Sequence, residues 1–514
     1  MQKKIIKFLL IIILLIGGGC FSEDNDKEEN ISTKKPNIEI IIPEGGLVGE
    51  ELILKIVETD MEELNYNYLW ELPENVEIIS GDKTSKELKI KVTTLGEYLI
   101  SVKGFNDEME RELTDGTLKI EEVVFNYQGL FGTKNRDSLW DLDYKNGNIV
   151  FFGSNLIENT NFNVYSMNVN SVNGGINWTT ILGGNGDDIS KTGIALEEDF
   201  LLGGETSSTD LTMKIKGESD AQIIKLNSEG KFVKNFIYGG DGNDWITKII
   251  EIDEGYIIGG STNSQDIEGC INQGGYDTFL LEIDKKLENI KWIKFYGTEG
   301  NDFLVDLKKK KANNGYLLGL EVGNDDEENI LLLDINNDGT ENWRRKIEKD
   351  NNLANGKQFE ILETKKGILV VASIKSMGGG VTANENLDIF VAEVSEEKIE
   401  WDKNFGGTND DYGIAVEELD DGYIIIGSSN STDFEGIKNI GGTDVVVLKI
   451  NKETGNCVWK NSYGGLGDEI AVSSSIDEDK KIIYIGAKTN STEIGGIKNN
   501  GLEDIYLLSL KYGI

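Results

Sequence analysis

The sequence predicts an all-β chain: a seven-bladed β-propeller preceded by a small N-terminal β-sandwich. Three observations lead to this. A unit of about 50 residues recurs, each unit holds four short apolar segments, and one such segment stands alone before the first unit. The unit is plainest in IYGGDGNDWITKIIEIDEGYIIGGST from Ile237 and NFGGTNDDYGIAVEELDDGYIIIGSS from Asn404. A period of this length is typical of solenoids and propellers.

A glycine after an aromatic or apolar residue marks where the units begin. The successive spacings are 51, 56, 58, 109 and 58 residues, for Gly132, Gly183, Gly239, Gly297, Gly406 and Gly464. The gap of 109 is about two periods, so a degenerate unit is expected inside it. The stretch KQFEILETKKGILVVASI from Lys357 supplies that unit. The count is therefore seven units, of which the fifth lacks its glycine-rich opening.

Each unit contains four candidate strands separated by turn signals. In the third unit they are WITKIIEID, YIIGGST, DTFLLEID and IKWIKFYG, and the turn DEG separates the first two. Four short strands per period match a propeller blade. A helical solenoid would instead show an apolar period of 3.6 residues, which these segments lack.

The two ends of the array predict how the ring closes. The last unit ends in its third strand, DIYLLSLK at 504–511, and has no fourth. An unattached fourth strand lies at 123–131, where Tyr127 stands five residues before Gly132. In four units Trp has that place, namely Trp178, Trp292, Trp401 and Trp459. We predict that 123–131 completes the seventh blade, because an unpaired sheet edge invites aggregation.

The first twenty residues are predicted to be an export signal. Three lysines precede an apolar run, Phe8 to Ile16, that is too short to span a bilayer. Small residues then lead to Cys20, so the segment resembles a bacterial lipoprotein signal peptide, and the resemblance implies lipidation of Cys20. It departs from that family at Gly17, where Leu is usual; an ordinary signal peptide is the alternative. Residues 21–35 are charged and apolar-poor, and we interpret them as a disordered tether.

Residues 36–122 are predicted to form a separate β-sandwich. Segments such as EELILKIVE, KELKIKVTT and GEYLISVKGFN alternate as strands do and are bounded by turn residues. The YLW around Trp70, together with GEYLISV, resembles the PKD and Ig-like modules of bacterial surface proteins. The resemblance implies a spacer or an adhesive module.

From Val123 onward the units resemble a bacterial β-propeller repeat. Its pattern is Y-G-G-x-x-x-D, then D-G-Y-I-I-x-G-x-T, then a third strand ending in K-[LI]-[DN], then W. The repeat occurs in secreted and lipid-anchored envelope proteins. The resemblance implies export, location in the cell envelope and a binding role, but no single activity, since fold does not give function.

The composition disfavours two classes of binding partner. The formal net charge is −40, which disfavours nucleic acid and anionic lipid surfaces. The sequence has no His and only four Arg, so imidazole chemistry is excluded and a sialidase-type arginine triad is implausible. We expect a monomer without a catalytic residue; glycoside hydrolysis by paired carboxylates stays an alternative.

One motif resembles a calcium site. GGDGNDWIT from Gly239 fits the calcium nonapeptide, but that family stacks tandem copies every nine residues, and here the copies are one unit apart. The glycine-rich segment that opens a unit leads from one blade to the next, and we call it the crossing. We interpret the acidic residue of each crossing as an acceptor of backbone N–H groups. These residues are Asp188, Asp244, Asp302 and Asp411. No metal or other cofactor is expected, with calcium as the alternative.

The candidate binding face consists of long loops between the second and third strands. Three of them share a seventeen-residue pattern, at 261–277, 428–444 and 488–504. The candidate residues are Asn263, Asp266, Asn272, Asn430, Asp433, Asn439, Asn490, Glu493 and Asn499. Loops on a rigid scaffold often carry binding residues. Repetition across units also fits a purely structural hairpin, and the two interpretations are compatible.

These observations predict a lipid-anchored scaffold of the cell envelope, whose propeller face binds a protein or glycan partner. Two alternatives remain. One is an assembly factor resembling the propeller subunit of the outer-membrane protein insertion machine, although that subunit has eight blades. The other is a carbohydrate-active enzyme on a propeller.

Overall fold

The computed structural model describes residues 38–42, 45–46, 51–58, 67–92, 96–106, 109–120, 123–157, 160–211, 213–267, 272–312, 314–324, 327–347, 358–375 and 386–512. Within these ranges every regular element is a β-strand. None of the residues described forms a helix with the length and apolar character of a membrane span. The chain divides into two compact units, which are Tyr127–Ser509 and the combination of Met1–Asn126 with Leu510–Ile514.

The N-terminal unit contains two four-stranded sheets, in the orders β1-β3-β6-β5 and β2-β8-β7-β4. Its strands are β1 (Ile38–Ile41), β2 (Gly45–Gly46), β3 (Glu51–Glu58), β4 (Asn67–Glu71), β5 (Val76–Ser80), β6 (Glu87–Val92), β7 (Gly96–Asn106) and β8 (Met109–Ile120). The predicted segments become β1, β3, β4, β6 and β7. Strands β5 and β8 were not predicted, because the polar residues in VEIIS and MERELTDGTLKI dilute the apolar pattern.

One buried cluster serves both of these sheets. Trp70 on β4 and Leu54 on β3 are fully buried, as are Ile90 on β6 and Val102 on β7. The Trp70 indole N–H donates to the carbonyl oxygen of Ser85 at 2.8 Å, so its one polar atom has a partner. Alternate residues of β6 are buried, as expected for strands with one face on a core.

The second unit is built from four-stranded sheets, seven among the described residues, each following the order of the chain except the last. The first four sheets are β10 (Arg136–Lys145), β11 (Asn148–Ile157), β12 (Asn161–Asn170), β13 (Ile176–Leu182); β14 (Asp188–Ala195), β15 (Asp199–Thr206), β16 (Asp220–Asn227), β17 (Phe232–Tyr238); β18 (Asp244–Ile252), β19 (Gly255–Thr262), β20 (Asp277–Asp284), β21 (Ile290–Tyr296); and β22 (Asn301–Lys309), β23 (Tyr316–Asn324), β24 (Glu327–Ile335), β25 (Glu341–Ile347).

The remaining three sheets are β26 (Glu360–Glu363), β27 (Ile368–Lys375), β28 (Leu387–Val394), β29 (Ile399–Phe405); β30 (Asp411–Glu418), β31 (Tyr423–Ser429), β32 (Asp444–Ile450), β33 (Cys457–Tyr463); and β34 (Glu469–Asp477), β35 (Ile482–Thr489), β38 (Asp504–Tyr512), β9 (Val123–Phe131). Two short strands, β36 (Glu493–Ile494) and β37 (Ile497–Lys498), pair in the last long loop. The predicted degenerate unit is the sheet β26–β29, whose first strand is short.

The middle strands of each sheet hold most of the core. Every residue of β19, β31 and β32 is buried, so both faces of these strands are covered. Continuous Ile and Val runs such as YIII and VVV suit strands buried on both faces. The fourth strands β13 and β17 are largely exposed or half-buried.

The first strands of successive sheets pack against one another in a cycle. Strand β10 contacts β14, β14 contacts β18, and the series continues through β22, β26, β30 and β34 back to β10. The space that these seven strands enclose is called the central cavity below.

The fourth strand of the last sheet is β9, and it lies beside β38. Between these two strands, the Tyr506 hydroxyl on β38 donates to Oε1 of Gln128 on β9 at 3.0 Å, and the two residues are 378 positions apart in sequence. Phe131 joins the same buried cluster as Ile505 and Leu507. The prediction that 123–131 pairs with the last unit is confirmed.

The crossings between sheets use the predicted acidic residues to hold backbone N–H groups. Asp244 accepts from the Gly240 N–H at 2.9 Å and from the Ser264 hydroxyl at 2.8 Å. Equivalent bonds join Gly184 to Asp188 at 2.8 Å, Thr298 to Asp302 at 2.7 Å and Gly407 to Asp411 at 2.7 Å. The structural interpretation of these aspartates is thus confirmed at the level of their hydrogen bonds.

Candidate functional site

The long-loop residues predicted to bind a partner bond mainly to their own chain. Three of them accept backbone N–H groups from the crossing beside them. The bonds are Asn243 to Asn263 at 2.6 Å, Asp241 to Asp266 at 2.8 Å and Thr408 to Asp433 at 2.8 Å. Asn490 does the same for Asp468 at 2.7 Å.

The other candidates shape the loops themselves. Asn272 accepts from Gly274, Asn499 accepts from Gly501, and the Asn439 amide donates to the carbonyl oxygen of Gly442. Asn430 has a buried Oδ1 with no hydrogen-bond partner among the described residues. Glu493 lies on β36 with an exposed side chain. This geometry favours the structural-hairpin interpretation, and a binding role for these nine residues stays a prediction.

A β-bulge recurs in six of the seven first strands, at the same place in each. At each bulge one extra residue stands between two paired positions, and the six extra residues are Trp140, Lys191, Thr247, Val305, Ile414 and Val472. A bulge re-aims a side chain relative to a regular strand. All six line the central cavity. The bulges therefore turn side chains from six sheets toward one shared space.

A glycine on the neighbouring strand accommodates the bulge. In the third sheet Ile246 pairs with Gly260 just before Thr247 is reached. A Cβ on Gly260 would lie 2.0 Å from the carbonyl oxygen of Trp245. The glycine of the repeated YIIxG pattern thus permits close approach of the two backbones.

The central cavity has a volume of about 550 Å³ and is lined by residues in or beside all seven first strands. One wall is aromatic. The ring centroids of Trp245 and Tyr276 are 5.1 Å apart, those of Tyr276 and Phe303 are 5.1 Å apart, and Trp245 stacks on Phe303 at 5.8 Å. Trp140 stands elsewhere in the lining and is 36% exposed.

Two lysines lie over tryptophan rings that line the cavity. The Lys191 ammonium is 4.5 Å from the ring centroid of Trp245, and it also pairs with Glu205 at 3.2 Å. The Lys488 ammonium lies 4.5 Å from the ring centroid of Trp140. Burial lowers the pKa of Lys488 from its ordinary value. Each of these tryptophan rings therefore has one of the protein's own cations over a face.

The residues after five of the six bulges are polar, and together with the Thr247 hydroxyl we call them the polar layer of the cavity. Asp141 accepts from the Thr192 hydroxyl at 2.8 Å and from the Ser473 hydroxyl at 2.7 Å, which links three different sheets. Asp306 accepts from the Ile361 backbone N–H at 3.0 Å. The fifth sheet contributes Glu360 to the same lining.

Two polar atoms of this layer have spare hydrogen-bonding capacity. The Thr247 hydroxyl is buried and has no partner within the part of the chain that the structure describes. The Lys248 ammonium lies 3.8 Å from Oδ1 of Asp306, which is beyond hydrogen-bond distance. Burial lowers the pKa of Lys248, but Asp141 and Asp306 outweigh it and raise the pKa above its ordinary value. Lys248 is therefore a charged donor within the cavity.

Acidic groups deeper along the first strands are shifted by burial. Burial raises the pKa of Asp143 to about 6, and the neighbouring Asp141 adds to the effect. Burial also raises the pKa of Glu417 to about 7, with Glu360 as a second cause. The Ser474 hydroxyl donates to Glu417 at 2.8 Å.

The described arginines bond to separate partners. Arg136 pairs with Glu503 at 3.2 Å, Arg344 pairs with Glu341, and Arg345 donates to the carbonyl oxygen of Glu396 at 3.0 Å. In the described ranges, no three acidic or cysteine side chains come together as metal ligands would. Cys457 is a free thiol in a partly buried position.

The sequence reasoning missed this cavity. Its signal lies in the position three residues after the crossing carboxylate, where successive units carry Trp140, Lys191, Thr247, Val305, Ile414 and Val472. The surrounding residues repeat and this position does not. The sequence pattern alone does not show that this position faces the cavity. The bulge changes which residues of the strand point to that side.

Comparison with known proteins gave structural neighbours alone. No family model matches the chain, and no curated protein matches its sequence. Similar solved structures include a europium-containing methanol dehydrogenase, at 8% identity and TM-score 0.37 over 76% of this chain and 93% of that one. A quinohemoprotein alcohol dehydrogenase from Comamonas testosteroni aligns at 10% identity and TM-score 0.40, over 74% and 76%.

A subtype N10 neuraminidase-like protein of A/little yellow-shouldered bat/Guatemala aligns at 9% identity and TM-score 0.38, over 76% of this chain and 100% of that one. These similarities are distant, and no activity is taken from them. The described part of the chain is all-β and consists mainly of four-stranded antiparallel sheets, as its own strand order shows.

Proposed function

We propose that this chain is an exported, lipid-anchored envelope protein whose seven-bladed β-propeller binds a protein or glycan partner in the central cavity. One observation carries the binding role: six bulges direct six side chains of five residue types into one cavity. A shared concave site with an aromatic wall and a few polar groups is the usual form of a ligand site.

The seven-bladed interpretation is supported by the sheet order and by the cyclic packing of the first strands. The interpretation of the N-terminal unit as a sandwich is supported by its two sheets and their common buried cluster. We infer that this unit serves as a spacer or adhesive module between the anchor and the propeller.

We propose binding without catalysis. Three of the four carboxylates that line the cavity have hydrogen-bond donors, since Asp141 accepts from two hydroxyl groups, Asp306 from a backbone N–H and Glu360 from the Val416 N–H. A general acid or base must instead be within reach of a substrate proton. The structure gives no observation that favours the assembly-factor alternative.

The binding proposal is tested with purified full-length protein and two immobilised envelope fractions, one of proteins and one of polysaccharides. Trp245→Ala should weaken capture of one fraction at least about tenfold, since a central aromatic anchor often contributes 2 kcal/mol or more. Phe232→Ala is the matched control, because Phe232 is an exposed aromatic residue on the outer strand β17. Equal capture by wild type and Trp245→Ala would contradict the proposal.

The anchor rests on sequence alone, because Cys20 lies outside the described residues. Cys20→Ser should abolish labelling by a fatty-acid analogue and release the protein from membranes washed with carbonate. The apolar run that remains is too short to span a bilayer. A variant that stays in the washed membrane fraction would refute the lipoprotein interpretation.

A further inference from the structure

We propose that the central cavity takes a neutral saccharide, with a sugar ring against the aromatic wall and its hydroxyl groups on Thr247 and Lys248. The inference rests on the proposed binding function and specifies its ligand. It is carried by the composition of the wall, the open hydrogen-bonding capacity of the polar layer, and the charges around both.

The aromatic wall suits a flat, partly apolar ligand. Trp245, Tyr276 and Phe303 lie within 6 Å of one another, centroid to centroid. All three line the cavity. Aromatic faces carry partial negative charge, so they attract the polarised C–H bonds on the face of a pyranose ring. A fully apolar ligand would fit this wall but would leave the polar layer beneath it desolvated and unpaired.

The hydrogen-bonding groups of the polar layer fit a ligand that both donates and accepts hydrogen bonds. Thr247 has a buried hydroxyl without a partner in the described ranges, and the Lys248 ammonium has no carboxylate oxygen closer than the 3.8 Å contact to Asp306 among its ion pairs. Sugar hydroxyl groups can accept from Lys248 and can donate to or accept from Thr247. Leaving a buried polar group unpaired is costly, so a ligand that satisfies both gains affinity and selectivity.

The charges in and around the cavity argue against ionic ligands. Four carboxylates and two ammonium groups line the cavity, and the whole chain carries −40, so an anion is repelled. A cationic ligand would be repelled near the tryptophan rings, because the Lys191 and Lys488 ammonium groups already lie beside them. A neutral polyhydroxyl ligand avoids both conflicts. The volume of about 550 Å³ falls in the range of small-ligand sites.

Isothermal titration of the full-length protein tests this. The probes are neutral oligosaccharides of glucose, mannose, galactose and N-acetylglucosamine, an anionic oligogalacturonate, a cationic glucosamine oligomer and a mixed peptide library. At least one neutral saccharide should bind, and neither charged oligomer should. Because no ion pair forms, Kd should change less than about twofold between low and high salt.

Two variants and one control locate the site. Trp245→Ala should raise Kd at least about tenfold, and the nearly isosteric Thr247→Val should raise it about five- to tenfold, the value of one buried hydrogen bond. Phe232→Ala should leave Kd unchanged. Thr247→Val keeps the test valid if Trp245→Ala fails to fold, which thermal melting of both variants will show.

The outcomes separate this inference from the proposed function. Failure of every neutral saccharide to bind overturns the inference, as does tight binding of a charged oligomer. If a peptide binds and Trp245→Ala abolishes it, the saccharide assignment is wrong while the cavity remains a binding site. If neither these probes nor the envelope fractions distinguish wild type from Trp245→Ala, both the ligand class and the binding site are wrong.

Discussion

In six of the seven first strands a crossing and a bulge lie only a few residues apart, and the sequence differs in what it repeats at the two places. At the crossings the same glycine and carboxylate recur six times, and the described carboxylates hold backbone N–H groups. At the bulges the backbone geometry recurs six times, and the side chains differ. Repeated residues thus build the frame, while unrepeated residues on repeated geometry are free to serve a ligand.

Steric fit explains why the crossings cannot vary. A Cβ on Gly464 would lie 2.0 Å from Oδ1 of Asp444 and 2.5 Å from Oε2 of Glu469. Two acidic side chains therefore approach each other only because glycine leaves the space. Burial raises the pKa of Asp444 to about 6, and the nearby Glu469 adds to the shift. Substitution here disturbs backbone, packing and charge together.

The largest effect should come from removing part of the frame. A chain that begins at Gly132 lacks β9 and leaves the edge of β38 unpaired, so it should aggregate or lose cooperative unfolding. Size-exclusion chromatography and circular dichroism measure this. A chain that begins at Glu121 keeps β9 and should fold without the N-terminal unit. A monomeric, cooperatively melting Gly132 chain would show that β9 is dispensable.

A single crossing glycine should matter more than a bulge residue. Gly464→Ala should lower the free energy of unfolding by about 3 kcal/mol, because the added methyl group has no space. Thr247→Ala, at a bulge beside the cavity, should lower it by less than about 1 kcal/mol. Urea unfolding compares the two. Equal losses of unfolding free energy in the two variants would contradict the distinction between crossing residues and bulge residues.

A further effect should appear with pH. Burial raises the pKa of Asp411, at a crossing, to about 6 from 3.8, and that of Glu417 to about 7 from 4.5. A raised pKa in the folded state gives stability that is present in full below the unfolded pKa and lost as pH rises through the folded value. The free energy of unfolding should therefore fall from about pH 4 to about pH 8, with the two groups together contributing up to about 6 kcal/mol.

Matched amide variants show which carboxyl group causes each part of this pH effect. Asp411→Asn should flatten the lower part of the profile, and Glu417→Gln should flatten the upper part, because each removes one titrating group. Urea unfolding at several pH values measures both. Stability that rises across this interval would contradict the assigned direction of the shifts.

Local sequence was sufficient for most strands, and the spacing of the repeats was sufficient for the closure of the last sheet. DTFLLEID becomes β20 with the predicted limits, and 123–131 becomes β9, since apolar runs and turn residues are local signals. The degenerate fifth unit was found by spacing alone. Strands β5 and β8 were missed because their polar residues hide the alternation on which prediction depends.

The candidate site was not predictable in the same way. The loop asparagines and aspartates are polar and repeated, and this pattern predicts a surface that binds partners. In the structure they accept hydrogen bonds from backbone N–H groups of the crossings. The cavity depends on the bulge at Thr247 and its equivalents, and a bulge is a property of strand pairing. Only the register between two strands shows which residue is the extra one.

The pairing of β9 with β38 also sets the order in which the molecule can be completed. Gln128 and Tyr506 are separated by 378 residues, so the last sheet gains its fourth strand only after nearly the whole chain has emerged. Contacts of such separation form slowly, because the intervening loop must first be closed at an entropic cost. Until then the other sheets can assemble in sequence while β9 lacks its partner strand. This interval is the period of greatest exposure to proteases and to misassembly.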